Sequence, residues 1–238
     1  MSDVAGELHL IPVTLGDTDA RSTLSTAALD AAAGLEYFIV ENEKSARHFL
    51  KNIGHPRPLR ELHFERFDKT GDAARAVDLL QPLLAGCSAG VLSEAGSPAI
   101  ADPGALLVAA AHHLHIRVVP HVGPSAIALA LMASGFNGQR FAFHGYLPVP
   151  KDECRREIAV RERESRERDM TQIFIETPYR SDALLHAFVD TCQGNTRLCI
   201  ASDLTLATAS VSSLTIAEWK MTNTAIGRRP SVFLLYAR

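Results

Sequence analysis

The stretch SEAGSPAIADPG, residues 93–104, comes directly after AGVL, a short apolar segment over residues 89–92. It contains two glycines, two prolines and two carboxylates. Glycine and proline are typical of turns, and a short apolar run bounded by turn residues is typical of a buried strand. Because ligands bind beyond the carboxyl ends of the strands in an open parallel sheet, we predict that residues 93–104 form a ligand-binding loop.

The segments before and after this loop alternate between strand-like and helix-like patterns. Strand-like segments cover residues 8–13, 36–41, 60–67, 89–93 and 116–121, and helix-like segments cover 22–34, 42–54, 72–86 and 104–115. Strands separated by helices predict a mostly parallel sheet with helices on both faces. The chain ends instead in several short strand-like runs, which predict a mixed sheet. The expected fold is therefore α/β with two domains, residues 1–121 and 122–238.

Composition excludes several classes of protein. Apolar residues make up 47% of the chain, yet no apolar run approaches the roughly 20 residues that cross a bilayer. The first residues, MSDVAGELHL, lack the basic and then apolar pattern of a secretory signal. The four cysteines form no CxxC motif, which indicates reduced thiols and a cytoplasmic protein. A net charge of −3 means that any nucleic-acid contact has to be local.

Three patterns admit two interpretations each. Eight Lys and Arg residues face four acids over residues 44–75, as expected of either a solvated surface or a phosphate-binding patch. The charged segment 151–169 suits a solvated helix with i,i+4 ion pairs, such as Glu157–Arg161, or an RNA-binding element. The histidines at 112, 113 and 115 end a predicted helix, where they either stabilise its dipole or bind a metal; we expect no metal.

Nucleotide-binding and hydrolase signatures are absent from the sequence. There is no G-x-G-x-x-G after the first strand, no G-x-x-x-x-G-K-[ST] and no G-x-S-x-G. Two further turns follow predicted strands, PVTLGD (12–17) and HVGPSAI (121–127). Asp102, which precedes Pro103 and an apolar helix, fits an N-cap as well as a site residue, whereas Glu94 has no comparable local explanation. These residues predict a small-molecule cleft built from three loops.

Six segments resemble one family. LSEAGSPAIADPG (92–104) is similar to the D-A-G-[TS]-P-x-I-x-D-P-G signature of the tetrapyrrole methylase superfamily, and in particular of its small-subunit ribosomal RNA (cytidine-2′-O)-methyltransferase branch. The other segments that resemble motifs of this branch, in order, are IPVTLGD (11–17), IVENEKSARHFLKNIG (39–54), VVPHVGPSAIALALMASGF (118–136), RFAFHGYLP (140–148) and IFIETPYR (173–180).

The resemblance implies two α/β domains of the tetrapyrrole methylase type with S-adenosyl-L-methionine in the cleft between them. It implies a homodimeric methyltransferase that acts in rRNA processing on a ribose 2′-hydroxyl. Carried over by position, the cofactor-binding residues are Pro12, Gly16, Glu94, Gly96, Ser97, Ile100, Ser125, Ala126, Thr177, Pro230 and Ser231. The candidate catalytic residues are Glu94, Asp102 and Arg180, with Glu176 as a further candidate base; Arg180 either contacts substrate or pairs with Glu176.

The chain also departs from the pattern of this branch. The run DLTLATAS (203–210) has Leu206 where the branch has lysine in E-L-T-K, and Glu94 stands where aspartate is usual. GRRPS (227–231) replaces a G-E-[MF]-like ending, and no helical extension follows Arg238. Three functions therefore remain open: an RNA methyltransferase, a methyltransferase for a small acceptor such as a tetrapyrrole, and a non-catalytic protein that binds S-adenosylmethionine.

Overall fold

A computed structural model describes residues 5–222 and 224–238. The chain forms two compact units, unit one (Met1–Ser125) and unit two (Ala126–Arg238). Each unit contains a five-stranded sheet with helices packed against it. The predicted α/β fold class is thus confirmed.

Unit one contains a sheet in the order β3-β2-β4-β1-β5, in which every pairing is parallel, as the sequence predicts. Its strands are β1 (Leu8–Ile11), β2 (Tyr37–Val40), β3 (His63–Arg66), β4 (Ala89–Leu92) and β5 (Val118–Pro120). Its helices are α1 (Thr26–Gly34), α2 (Glu43–Asn52), α3 (Ala73–Leu84) and α4 (Gly104–His113), with 3-10 turns at Ala20–Ser22 and Leu59–Glu61.

Helices cover both faces of this sheet because successive side chains of a strand point to opposite faces. In β2, Ile39 packs with α3 and α4, whereas its neighbour Phe38 packs with α1 and α2. The central strands β2 and β4 are buried at every residue, which explains their continuous apolar sequence. Since β1 and β4 are adjacent and parallel, the loops that follow them leave the same edge of the sheet.

Unit two contains a mixed sheet in the order β6-β7-β10-β8-β9, again as predicted. Only the β6–β7 pairing is parallel among its four pairings. The strands are β6 (Phe141–Phe143), β7 (Thr171–Glu176), β8 (Arg197–Ser202), β9 (Ser210–Thr215) and β10 (Ser231–Tyr236). The helices are α5 (Ala126–Ser134), α6 (Lys151–Arg168), α7 (Ser181–Thr191) and α8 (Ile216–Met221).

The helices of unit two also lie on both faces of its sheet. Phe233 of β10 packs in a core with residues of α6, α7 and α8, whereas its neighbour Val232 packs with α5. No helix among residues 5–222 and 224–238 is both long enough and apolar enough to cross a membrane.

The charged helix α6 is more buried than the sequence predicts. Its predicted i,i+4 ion pairs form, with the Arg161 guanidinium 2.5 Å from the Glu157 carboxylate. However, one stripe of the helix is buried in unit two: Cys154, Ile158, Glu162 and Ser165. The prediction of a solvated helix is therefore wrong for this stripe. In the sequence, the polar residues Glu162 and Ser165 interrupt the apolar pattern that would have indicated it.

Candidate functional site

Three loops of unit one pack closely at the carboxyl edge of the sheet: the first-strand loop (12–17), the signature loop (93–104) and the fifth-strand loop (121–125). The Val13 amide donates to the Gly96 carbonyl at 2.9 Å, and the Ser97 hydroxyl donates to the Pro124 carbonyl at 3.2 Å. A Cβ on Gly123 would lie 2.4 Å from Cβ of Pro12. The three turns predicted at strand ends are thus in direct contact with one another.

The signature loop has an unusual backbone. Gly96 has φ +74°, and Ala99 and Ala101 both have φ +65°, a region that non-glycine residues rarely occupy. Left-handed geometry at an alanine costs on the order of 1 kcal/mol or more, so the surroundings have to enforce it. Asp102 does so: its Oδ1 accepts hydrogen bonds from the amides of Ala99 (2.9 Å) and Gly104 (2.7 Å).

Asp102 therefore fixes the signature loop to the start of α4. The N-cap position belongs to Pro103, one residue later than predicted, although the Asp102 carboxylate still accepts the amide of the first helical residue, Gly104. Burial raises the pKa of Asp102, opposed by these two amide hydrogen bonds. In this structure the side chain positions the loop.

A cavity of about 480 Å³ lies beside the signature loop, within the volume range of small-molecule sites. The first-strand loop, α2, Ser93 and Glu94 line it. Lys44 and His48 of α2 bring basic groups to it, and Nε2 of His48 lies 3.0 Å from Nδ2 of Asn52. The Lys44 ammonium forms no ion pair with any residue that the structure describes. Two basic side chains of residues 44–75 therefore lie at a cavity, whereas Arg47, Arg57 and Arg75 form ion pairs with carboxylates.

Glu94 is the candidate carboxylate that faces this cavity. It is exposed, and its Oε1 accepts a hydrogen bond from Nδ2 of Asn42 at 3.1 Å. Gly16 lines the same cavity, whereas Pro12 packs against Gly123. Ile100 presents an exposed apolar side chain on the signature loop. Glu94 and Gly16 therefore lie together at one cavity of unit one.

Glu41 is a carboxylate that sequence reasoning missed. It follows β2 directly, and its Oε2 accepts a hydrogen bond from the Glu94 amide at 3.4 Å. Burial, and then the negative charge of Asp102, raise the pKa of Glu41. The sequence pattern could have indicated Glu41 as a site residue. Glu41 comes just after β2 and Glu94 comes just after β4, and the carboxyl ends of parallel strands meet at one edge of the sheet.

In unit two, Thr177 and Ser231 lie at the same end of the sheet, since Ser231 pairs with Glu176 across β10 and β7. The Thr177 amide donates to Glu176 Oε1 at 2.6 Å, and the Ser231 hydroxyl lies 2.7 Å from that of Ser202. Pro230 precedes β10 directly. These three predicted cofactor residues are thus neighbours within unit two.

Arg180 pairs with Glu176. Its Nη2 lies 3.2 Å from the buried Glu176 Oε2 and donates to the Pro148 carbonyl at 3.2 Å. Of the two interpretations left open by the sequence, the structure shows this ion pair. Arg180 also lines a second cavity, of about 340 Å³, at the starts of α6 and α7. Glu176, held by Thr177 and Arg180, is a structural anchor for the turn after β7.

Ser125 and Ala126 are consecutive residues at the end of unit one and the start of α5. The histidines at 112, 113 and 115 lie at or just beyond the end of α4. Over the described residues, no group of three or more His, Cys, Asp or Glu side chains is arranged to hold a metal ion.

Comparison with known proteins decides the family. The chain is 30% identical over 214 residues to ribosomal RNA small subunit methyltransferase I of Pseudomonas aeruginosa, covering 90% of this chain and 72% of that protein. The chain belongs to the ribosomal RNA small subunit methyltransferase I family. The enzyme of the same name from Vibrio cholerae is 29% identical over 211 residues, and that of Xylella fastidiosa is 34% identical over 175 residues. The chain spans 69% and 60% of their lengths, respectively. No protein-family model matches the chain.

Solved structures confirm the fold of this family member. The methyltransferase CobJ superposes with a TM-score of 0.63 at 16% identity, over 98% of this chain and 95% of that one. Uroporphyrin-III-C-methyltransferase of Thermus thermophilus superposes with a TM-score of 0.55 at 15% identity, over 97% and 92%. These likenesses confirm the α/β fold that the six motifs predicted. The protein is a methyltransferase through its membership of the family shown by the sequence comparison.

Proposed function

We propose that this protein is an S-adenosylmethionine-dependent methyltransferase that acts on ribosomal RNA, at a ribose 2′-hydroxyl. The observation that carries the proposal is the 30% identity over 214 residues to a protein named for methylating small-subunit ribosomal RNA. That alignment covers 90% of the chain, so it includes residues of both units. The acceptor class and the 2′-hydroxyl come from this family membership and from the motif resemblance.

The loops of unit one fit the chemistry of the cofactor. S-adenosylmethionine combines a methionine zwitterion and a sulfonium, so backbone groups, hydroxyls and apolar contacts suit it better than a cluster of lysines. The signature loop offers the Ser97 hydroxyl, the exposed Ile100 side chain and a glycine, Gly96, where a Cβ would lie 3.1 Å from Cδ2 of Leu15. When bound, the cofactor supplies an electrophilic methyl group.

The proposed binding residues follow the positions predicted from the sequence. In unit one they are Pro12, Gly16, Glu94, Gly96, Ser97, Ile100 and Ser125; in unit two they are Ala126, Thr177, Pro230 and Ser231. Their main task is alignment of the acceptor with the methyl group, since positioning alone can supply about 7–11 kcal/mol of the barrier.

We assign the three candidate catalytic residues different tasks. Glu94 is exposed at the 480 Å³ cavity and is the general base for the acceptor hydroxyl, a role worth roughly 10²- to 10⁴-fold in rate. Asp102 is a positioning residue, because its Oδ1 already accepts two amides of the signature loop. Arg180 orients the turn after β7 through Glu176 and presents its remaining exposed part to substrate.

Lys44 and His48 complete the proposed acceptor site. An unpaired ammonium beside a cavity that holds a carboxylate suits a nucleotide, whose phosphate the lysine attracts while Glu94 faces the sugar hydroxyl.

We also propose that the enzyme is a cytoplasmic homodimer, in line with the resemblance and with four cysteines that form no disulfide among the described residues.

Titration calorimetry and methyl transfer test the proposal together. We expect micromolar binding of S-adenosylmethionine, lost in Gly96→Trp and retained in Gly138→Trp, whose Cβ would meet nothing within 4 Å. Purified protein should then transfer labelled methyl groups to small-subunit RNA that lacks its native methylations. Transfer only to a tetrapyrrole or another small heterocycle would overturn the RNA assignment, and binding without any transfer would indicate a non-catalytic protein.

A further inference from the structure

An exposed aromatic ring in unit two carries an arginine on its face. The Tyr179 side chain is 80% exposed, and the guanidinium carbon of Arg228 lies 5.2 Å from its ring centroid. Because this large ring is exposed to water, most of its apolar surface is available for contact with a ligand. The pair lies outside both the cavity at Glu94 and the cavity at Arg180, so neither accounts for it.

The two residues belong to segments that α7 holds in place. Tyr179 stands in the turn between β7 and α7, which the Arg180 amide closes by donating to the Thr177 carbonyl at 3.0 Å. The Arg228 segment is tied to the same helix, because the amides of Ile226 and Gly227 donate to Asp182 Oδ1 at 2.7 and 3.2 Å. The backbone segments that carry the ring and the guanidinium are therefore fixed at the start of α7, which reduces the backbone entropy that a ligand must remove.

Arg228 differs from its neighbour in electrostatic environment. Arg229 forms an ion pair with Asp203 at 2.6 Å, whereas no carboxylate among the described residues pairs with Arg228. An unpaired cation over an aromatic face attracts a ligand that is both planar and anionic. In single-stranded RNA, each nucleotide combines a π-face with a phosphate, and aromatic rings and arginines are the side chains on which unpaired bases stack.

We propose that Tyr179 and Arg228 form a stacking platform for an unpaired nucleobase of the RNA substrate, with Arg228 also contacting the adjacent phosphate. The proposal rests on the proposed function, and it names the form of the acceptor: a single strand rather than a duplex. Arg228 belongs to GRRPS, the segment in which this chain departs from the G-E-[MF]-like ending, so the platform is a property of this chain's own residues.

The first experiment uses fluorescence. Trp219 is the single tryptophan of the chain and is buried, so the Tyr179→Trp variant adds one exposed indole whose emission reports the platform. We expect a single-stranded oligoribonucleotide to quench this emission and inorganic polyphosphate, which has charge but no bases, to leave it unchanged. Equal quenching by both, or by neither, overturns the proposal.

The second experiment measures RNA affinity against salt. Tyr179→Ala should bind a single-stranded oligoribonucleotide about 5- to 100-fold more weakly with an unchanged salt slope, and Tyr179→Phe should retain most of the affinity. Arg228→Ala should weaken binding and lower the salt slope by about 0.7, the value for one single-strand phosphate. The control is Arg163→Ala, which removes the same charge from an exposed part of α6 and should change neither quantity.

Cofactor titration and methyl transfer separate this proposal from the proposed function. If the unaltered enzyme methylates ribosomal RNA while Tyr179→Ala binds RNA normally, the platform is overturned and the proposed function stands. If no RNA is methylated yet the platform still selects single strands, the proposed function fails and the platform stands. A loss of S-adenosylmethionine binding in Tyr179→Ala equal to the loss of RNA binding overturns the platform, because the ring then serves the cofactor.

Discussion

The Nε atom of Arg229 donates a hydrogen bond to Oδ2 of Asp203 at 2.6 Å, which joins two of the segments in which this chain departs from the motifs it resembles. Thr208 Oγ1 donates to the same oxygen at 2.9 Å, and Arg229 also donates to the Thr208 carbonyl. The run DLTLATAS lacks the lysine of E-L-T-K, and GRRPS brings an arginine to the same turn. The two departing segments are thus joined in this chain, with the Arg229 guanidinium beside the Asp203 carboxylate.

This coupling predicts a stability loss in Arg229→Ala. Asp203 is mostly buried, so removal of its partner leaves a poorly solvated carboxylate; we expect unfolding to become easier by about 1–3 kcal/mol. Urea unfolding followed by the fluorescence of Trp219, which lies in unit two, measures the change. Arg228→Ala is the matched control and should stay within about 0.5 kcal/mol. Equal stability of both variants would show that the ion pair contributes nothing.

Gly123 predicts a second effect, in the packing of the loops. A methyl group there would lie 2.4 Å from Cβ of the rigid Pro12 ring, so Gly123→Ala forces the first-strand and fifth-strand loops apart. We expect a loss of about 1–3 kcal/mol in unfolding free energy, together with weaker S-adenosylmethionine binding. Circular dichroism and titration calorimetry measure the two quantities.

The control for Gly123 is Gly34, the last residue of α1, where a Cβ would meet nothing within 4 Å. Gly34→Ala should leave cofactor binding unchanged and stabilise the protein by up to about 1 kcal/mol, because alanine has the better helix propensity. If Gly123→Ala and Gly34→Ala changed unfolding free energy and cofactor binding alike, the contact with Pro12 would not be the cause of the loss in Gly123→Ala.

A histidine pair in unit one predicts a dependence of stability on pH. Nδ1 of His9 lies 3.0 Å from Nε2 of His121, with Glu7 and Arg117 nearby. Burial lowers the pKa of both histidines, and His121 lowers that of His9 further. Because the folded state then binds fewer protons than the unfolded state, this contribution is intact above about pH 6.5 and is lost as pH falls through the lowered pKa values.

Urea unfolding followed by circular dichroism at several pH values between 7.5 and 5 measures this slope. His121→Gln removes one partner and should flatten the slope over that range. His113→Gln, at an exposed position at the end of α4, should leave it as in the unaltered protein. A slope that persisted in His121→Gln would assign the pH dependence to other groups.

The sequence predicted those features that depend on neighbours along the chain. The parallel sheet was predictable because β2 and β4 are apolar at every position and are flanked by helices with local caps, such as Asn42, whose Oδ1 accepts the Lys44 amide before α2. The contact of the three loops followed from the rule that ligands bind at carboxyl strand ends.

Features that depend on distant partners were not predictable. Glu162 is buried in α6 because its carboxylate accepts the Gln193 amide at 2.8 Å and the Thr196 hydroxyl. Ser165 is buried because its hydroxyl accepts the Ala237 amide at 2.9 Å. A periodic sequence pattern cannot indicate partners that lie far along the chain. Moreover, Glu162 and Ser165 interrupt the apolar stripe that would have indicated the buried face of α6.

The last prediction concerns Glu94, which the proposed function makes a general base. Glu94→Gln keeps the size of the side chain and an oxygen that can accept from Asn42, yet removes the basic carboxylate. We expect methyl transfer to fall by roughly 10²- to 10⁴-fold in kcat. Binding of S-adenosylmethionine should weaken much less than this, because glutamine keeps an oxygen acceptor at the same position. Single-turnover transfer of a labelled methyl group measures the chemical step.

Two control variants separate this role from its alternatives. Glu61→Gln alters an exposed carboxylate beside β3 and should leave kcat unchanged. Asp102→Asn alters the residue that holds the signature loop, so it should weaken cofactor binding as well as the rate, because an amide accepts the amides of Ala99 and Gly104 more weakly than a carboxylate does. If Glu94→Gln retained full kcat while Glu41→Gln lost it, the proton acceptor would be Glu41, whose carboxylate accepts the Glu94 amide and whose pKa is already raised by burial.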